Sequence, residues 1–183
     1  DFSSYKVLLQ DSFYLKALTN SLKLAFISTF FTFLLAYPMA YMISQANPES
    51  RLILLILVIT PFWTALLIRI YGWMMILKTN GLLNQFLLWS GIIDQPLILL
   101  NTQIAVVIGI VYTYLPFMVL PIYSSLLKIK PDILEAAADL GAKPLSVFWK
   151  ITFPLSLSGV VVGVFLVFIP AIGEFVIPDL LGG

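Results

Sequence analysis

The chain of 183 residues contains no cysteine and no histidine. Disulfide frameworks, Cys/His metal sites, thiol nucleophiles and histidine bases are therefore excluded within it. Charge is scarce too. Only 10% of residues are Asp, Glu, Lys or Arg, against about 25% in a typical soluble domain. What charge there is nearly cancels, at net +1, so nothing points to nucleic acid. No Gly-x-x-x-x-Gly-Lys-Ser/Thr loop occurs, so the chain lacks that phosphate cradle. The excess lies on the apolar side: 61% of residues are hydrophobic, with mean hydropathy +1.04. This is the composition of a membrane protein, and the expected class is an all-α polytopic one.

Four apolar runs are long enough to span. They cover about 21–44, 52–77, 103–127 and 155–181, against the roughly 20 residues a bilayer core needs. Residues 1–20 mix charges with aromatics and read as an extracytoplasmic amphipathic segment. Pro38 sits inside the first run and predicts a kink. Gln45–Arg51 holds the Asn47-Pro48 breaker, so the first two runs form a hairpin. Thr60-Pro61 interrupts the second run. As one helix at about 1.5 Å per residue, that run would put Arg69 roughly 25 Å beyond Leu52, near the far interface. Residues 81–89 predict a short surface helix. Pro116 and Pro121 predict a bent third span packed among neighbours. Gly159 and Gly163 in the fourth mark a close-packing face. The whole reads as a single domain and as an internal piece of a longer protein.

Between the third and fourth runs stands a polar island, Pro131 to Pro154. Pro131 suits a first helical position and Asp132 the first turn. Gly141 suits the left-handed residue that ends a helix. Lys143-Pro144 breaks the chain again, and a second helical piece fits 145–151. The prediction is a helix–turn–helix elbow outside the membrane, with Ala136, Ala137 and Ala138 at its centre.

The same island resembles the EAA loop of permease subunits of binding-protein-dependent ABC importers. Glu135-Ala136-Ala137 is followed by three residues, Gly141, nine residues, Ile151, Thr152 and Phe153-Pro154. The family pattern has Leu where Phe153 stands. The resemblance implies a type I importer permease of six spans, with further spans before Asp1 and after Gly183. It implies a cytoplasmic coupling helix at about 131–141 that docks on an ATP-binding subunit. Glu135, Ala136, Ala137, Asp139 and Gly141 are the coupling residues it carries over. It also settles orientation, because five basic residues on the elbow side and five on the other decide nothing. Thr60–Trp73, Gly81–Trp89, Tyr114–Tyr123 and Phe168–Gly183 resemble permeases of polyamine importers, the putrescine type above all.

That resemblance implies a polyamine substrate, a second permease subunit (a paralogue), an extracytoplasmic substrate-binding protein and a bacterial inner membrane. ATP and Mg would sit on the partner ATPase, with no cofactor, metal ligand or catalytic residue on this chain. Membrane lipid is the remaining partner. A polycation path needs carboxylates and aromatic faces. Glu174 is the one acid inside a span and is the first pathway candidate; as a helix-end carboxylate it reads equally simply. Asp179 lies closer to the span end. Arg69 reads either as a snorkelling interfacial cation or as a gate. Trp63, Tyr112 and Tyr114 are aromatic candidates that also read as packing. The alternatives are a permease for another small solute, or a channel or receptor subunit. An intramembrane enzyme would need a buried nucleophile and base or metal ligands; without His or Cys, His-metal and Ser–His chemistry are excluded, and no Asp sits mid-span for an aspartyl dyad.

Overall fold

The computed structural model describes residues 12–182, with side chains from Tyr14 onward. Helices carry the chain, and no strand occurs among the described residues. The order is α1 (Ser12–Gln45), α2 (Pro48–Ile59), a 3-10 turn (Thr60–Trp63), α3 (Leu66–Leu77) and α4 (Leu82–Trp89). Then come α5 (Gln103–Leu126), α6 (Pro131–Asp139), α7 (Pro144–Val147), a π turn (Phe148–Thr152), α8 (Phe153–Ile172) and α9 (Val176–Leu181). Three stretches are long and apolar enough to cross a membrane: Tyr14–Gln45, Gln103–Leu126 and Pro144–Ile172. A fourth crossing is counted if the bent pair Pro48–Trp63 and Leu66–Trp89 is one span.

Three expected boundaries move. Residues 12–20 are the opening turns of α1, not a separate segment, and what precedes Ser12 lies outside the described residues. The 34 residues of α1 run about 51 Å, longer than the roughly 30 Å hydrocarbon core, so the helix extends beyond it. The second run is not one helix. It breaks at Thr60–Trp63 and its two parts meet at 94°. A rise of 1.5 Å per residue cannot be summed across that bend, so the 25 Å separation of Arg69 from Leu52 does not carry over. The fourth helix stops at Ile172, and residues 173–175 separate it from the six-residue α9.

The chain forms two compact units. One comprises residues 31–69 and 111–167. Its core is Ala36, Tyr37, Ala40 and Ile43 of α1 against Met118, Val119, Ile122 and Leu126 of α5, with Val160 and Val167 of α8. The Gly159/Gly163 face does the close packing expected of it. A Cβ on Gly159 would collide with the Pro121 carbonyl oxygen and the Ser125 side chain, and one on Gly163 would lie 2.8 Å from Met118 Sδ. Small residues thus let α8 approach the α5 backbone, which in lipid replaces the hydrophobic drive that water would supply. The helix ends that meet at residues 45–48 are tied by Arg51, whose Nη2 donates to the Ser44 and Ala46 carbonyls at 2.9 and 3.1 Å. A cation on the last carbonyls of a helix is favourable.

The other unit comprises the described residues before 31, with 70–110 and 168–182. Here Asn84 is buried and pins the excursion between α3 and α5. Its Nδ2 donates to the Leu97 carbonyl at 2.8 Å, and its Oδ1 accepts the Leu97 N–H at 2.8 Å. Gly109 of α5 leaves room for Leu181 and Ile177 of α9, and the Asn101 N–H holds the Leu181 carbonyl at 3.0 Å.

Candidate functional site

The elbow forms as its residues require. Pro131 is at the first position of α6, with extended Lys130 before it. At the other end Gly141 adopts φ +77°, where a side chain would be strained. That turn lets the Gly141 N–H reach the Ala138 carbonyl at 2.8 Å and the Ala142 N–H reach the Ala137 carbonyl at 3.1 Å. Two carbonyls at the helix end are satisfied without any side chain. The outer surface is left bare of its own chain. Glu135, Ala136 and Asp139 are exposed and Ala137 half-buried. Leu140 is 89% exposed and Leu145 71%. Two leucines with nothing over them, beside a run of alanines, make an apolar step for a partner surface.

Behind the elbow, the π turn Phe148–Thr152 carries the chain directly into α8. Phe148 stands edge-on to Tyr37 at 5.8 Å and to Tyr41 at 5.9 Å, both on α1. Phe153 adds a tilted contact to Tyr37 at 5.5 Å. Aromatic pairs in such geometry contribute about 0.5–1.5 kcal/mol each beyond their burial. The Tyr37 hydroxyl lies 2.8 Å from Ser156 Oγ. Ser156 spends its one proton on the Phe153 carbonyl at 2.9 Å, so Tyr37 is the donor. The π turn behind the elbow is thus held to α1 by rings, and one buried hydrogen bond ties α1 to the start of α8. Phe148, Tyr37 and Ser156 were not among the expected site residues. The cue was the cluster Phe148, Trp149 and Phe153 inside the island, but its partners are more than 100 positions away.

The pathway candidates separate. Arg69 and Tyr112 come together on a groove of about 310 Å³ lined also by Met39, Met42, Leu57, Phe62 and Leu115. The Arg69 guanidinium lies over the Phe62 ring, 5.6 Å from its centre, and Phe62 stands edge-on to Phe117. Tyr114 packs on the core of its unit and on Phe117 at 6.1 Å. Trp63 does not line the groove; it is 85% exposed.

Glu174 and Asp179 belong to the other unit. Glu174 is half-buried, and its Oε1 accepts the N–H groups of Val176 at 3.1 Å and Ile177 at 3.4 Å. The next residue, Pro178, has no N–H, and the Asp179 N–H already holds the Phe175 carbonyl at 2.9 Å. Glu174 thus takes the two N–H groups at positions 176 and 177 that the helix start leaves without an intrahelical partner. Asp179 is exposed in the first turn, where negative charge suits the helix dipole. Among the described residues no group of three or more acids could hold a metal ion.

Residues 24–183 match the family described as binding-protein-dependent transport system inner membrane component. The chain belongs to that family. It is accordingly a multi-pass component of the bacterial inner membrane. This permease is 47% identical over 175 residues to the spermidine/putrescine transport system permease protein PotB of Escherichia coli, covering 96% of this chain and 64% of that protein. It is 46% identical to PotB of Haemophilus influenzae over 93% of this chain and 59% of the relative. It therefore spans less than two thirds of the length of these relatives. Among solved structures, a bacterial alginate ABC transporter, in complex with an alginate pentasaccharide-bound periplasmic protein, matches at TM-score 0.68 and 22% identity. That match covers 85% of this chain and 56% of the other, and it shows the shared fold.

Proposed function

We propose that this permease forms part of the translocation path of an ATP-driven polyamine importer, with the elbow 131–154 as the contact for a separate ATP-binding subunit. The observation that carries the coupling role is the exposed apolar step of Leu140, at the self-closed end of α6, and Leu145, on α7. A surface of this kind is costly in water and is stabilised by a groove that covers it. The aromatic clamp of Phe148 on Tyr37 and Tyr41 then links movement of the elbow to α1. ATP and Mg act on the partner chain. A second permease subunit, a paralogue, completes the path, and an extracytoplasmic binding protein delivers the substrate. The substrate class is supported by relatives named for both spermidine and putrescine; those names do not favour putrescine over spermidine. Glu174 and Asp179 supply the negative charge a polycation needs.

The absence of cysteine makes the coupling role directly testable. A single cysteine at Ala136, in the permease co-expressed with its transporter subunits, is cross-linked to cysteines placed in the groove of the ATP-binding subunit. The expected result is a disulfide whose yield changes with ATP. No cross-link, with all subunits present, would overturn the coupling role and favour a channel or receptor subunit.

A further inference from the structure

The groove beside Arg69 is made of the wrong chemistry for a polyamine. Among the described residues its lining offers no carboxylate, and its one charged side chain is a cation. A polycation entering it would meet like charge and lose its hydration for nothing. The guanidinium is also incompletely satisfied. Arg69 Nε is buried and has no hydrogen-bond partner among the described residues, and a ring face at 5.6 Å offers no lone pair to accept that N–H. A buried donor on a charged group is expensive to leave unmade.

Apart from the rings of Phe62 and Tyr112, the rest of the wall is aliphatic and thioether, Met39, Met42, Leu57 and Leu115 among it. Methionines of this kind adapt to flexible apolar ligands. Met42, Leu57 and Phe62 are exposed, so the groove opens on the outer surface of its unit. In a chain embedded in the inner membrane, an outward apolar groove is met by lipid.

We propose that this groove is a binding site for an anionic phospholipid, with an acyl chain along Met42 and Leu57 and the phosphate on the Arg69 guanidinium. The phosphate supplies the acceptor that Nε lacks, and a guanidinium is suited to it. The preference is for anionic over zwitterionic headgroups, because the wall provides one positive charge and no counter-charge for a headgroup ammonium. Phe62 holds the guanidinium in place from behind. This site is independent of the polyamine path, and its failure would leave the importer reading untouched.

The test uses the assembled, detergent-extracted transporter, stripped of lipid. Native mass spectrometry counts bound lipid as phosphatidylglycerol or phosphatidylcholine is returned. The intact protein should favour phosphatidylglycerol, and Arg69→Gln should weaken that preference about fivefold, the scale expected for one basic residue near a membrane surface. Arg69→Lys should keep most of it. Met42→Trp, which fills the groove and leaves the cation, should lose it. Arg69→Lys and Met42→Trp decide the matter if Arg69→Gln does not assemble. Equal binding of both lipids by the intact protein would overturn the proposal. So would a phosphatidylglycerol preference that survives Arg69→Gln or Met42→Trp, as it would if another membrane segment occupied the groove.

Discussion

Two apolar helical stretches of this chain are interrupted, and side chains bond the backbone at them in opposite ways. At Thr60–Trp63 the loss is on the acceptor side: Pro61 has no N–H to return to the preceding turn. Hydroxyls there reinforce carbonyls that already take the same threonine's N–H. Thr60 Oγ1 donates to the Ile56 carbonyl at 2.6 Å, and Thr64 Oγ1 to the Pro61 carbonyl at 2.8 Å. At Gly173–Phe175 the loss is on the donor side, because a new helix begins. There the Glu174 carboxylate takes two N–H groups at once. A neutral hydroxyl reinforces a helix end without adding charge. A carboxylate mends a helix start and leaves a negative charge in a half-buried place. The comparison separates two roles for Glu174 that the sequence merges, one for its oxygens and one for its charge.

Substitution tests the separation. Glu174→Ala removes both roles and should have the largest effect. Loss of a cap of this kind costs about 2 kcal/mol when two donors lose their acceptor. A melting midpoint equal to that of the parent would show that α9 does not depend on Glu174. Glu174→Gln keeps a side-chain carbonyl within reach of Val176 and Ile177 but removes the charge. It should assemble and melt within about 0.5 kcal/mol of the parent, yet take up polyamine more slowly. Normal uptake by this variant would remove Glu174 from the pathway and leave it a cap. Thr60→Val should have the smallest effect, about 0.5 kcal/mol, typical of a side-chain hydrogen bond within a membrane. A cost as large as that of Glu174→Ala would mean the two breaks are equally dependent on their side chains, and the contrast would fail.

The elbow was legible because each of its instructions is local. Pro131, Gly141 and Lys143-Pro144 act within a few residues of themselves, and helix, left-handed turn and second helix lie where those residues demand. Gly159 and Gly163 were legible as a packing face for a similar reason: their spacing matches one side of a helix. The break at Thr60-Pro61 was visible, but its angle was not. A proline states that a hydrogen bond is missing, and the surroundings decide how far the chain then turns. The last apolar run read as one span through Leu181 because hydropathy does not register Gly173 and Glu174 as a new helix start.

Composition and local pattern alone determined the membrane class, the four apolar runs and the elbow with its glycine-ended helix. These follow from hydrogen bonds and dihedral preferences that close within about five residues, and from the cost of leaving backbone groups bare in lipid. Only the tertiary structure decided that Phe148 rests on Tyr37 and Tyr41, that Tyr37 donates to Ser156, and that Arg69 shares a groove with Met42 and Tyr112. Those pairings join positions about 30 to 120 apart. No local rule names such a partner, because the contact exists only once helices distant in the chain have packed side by side.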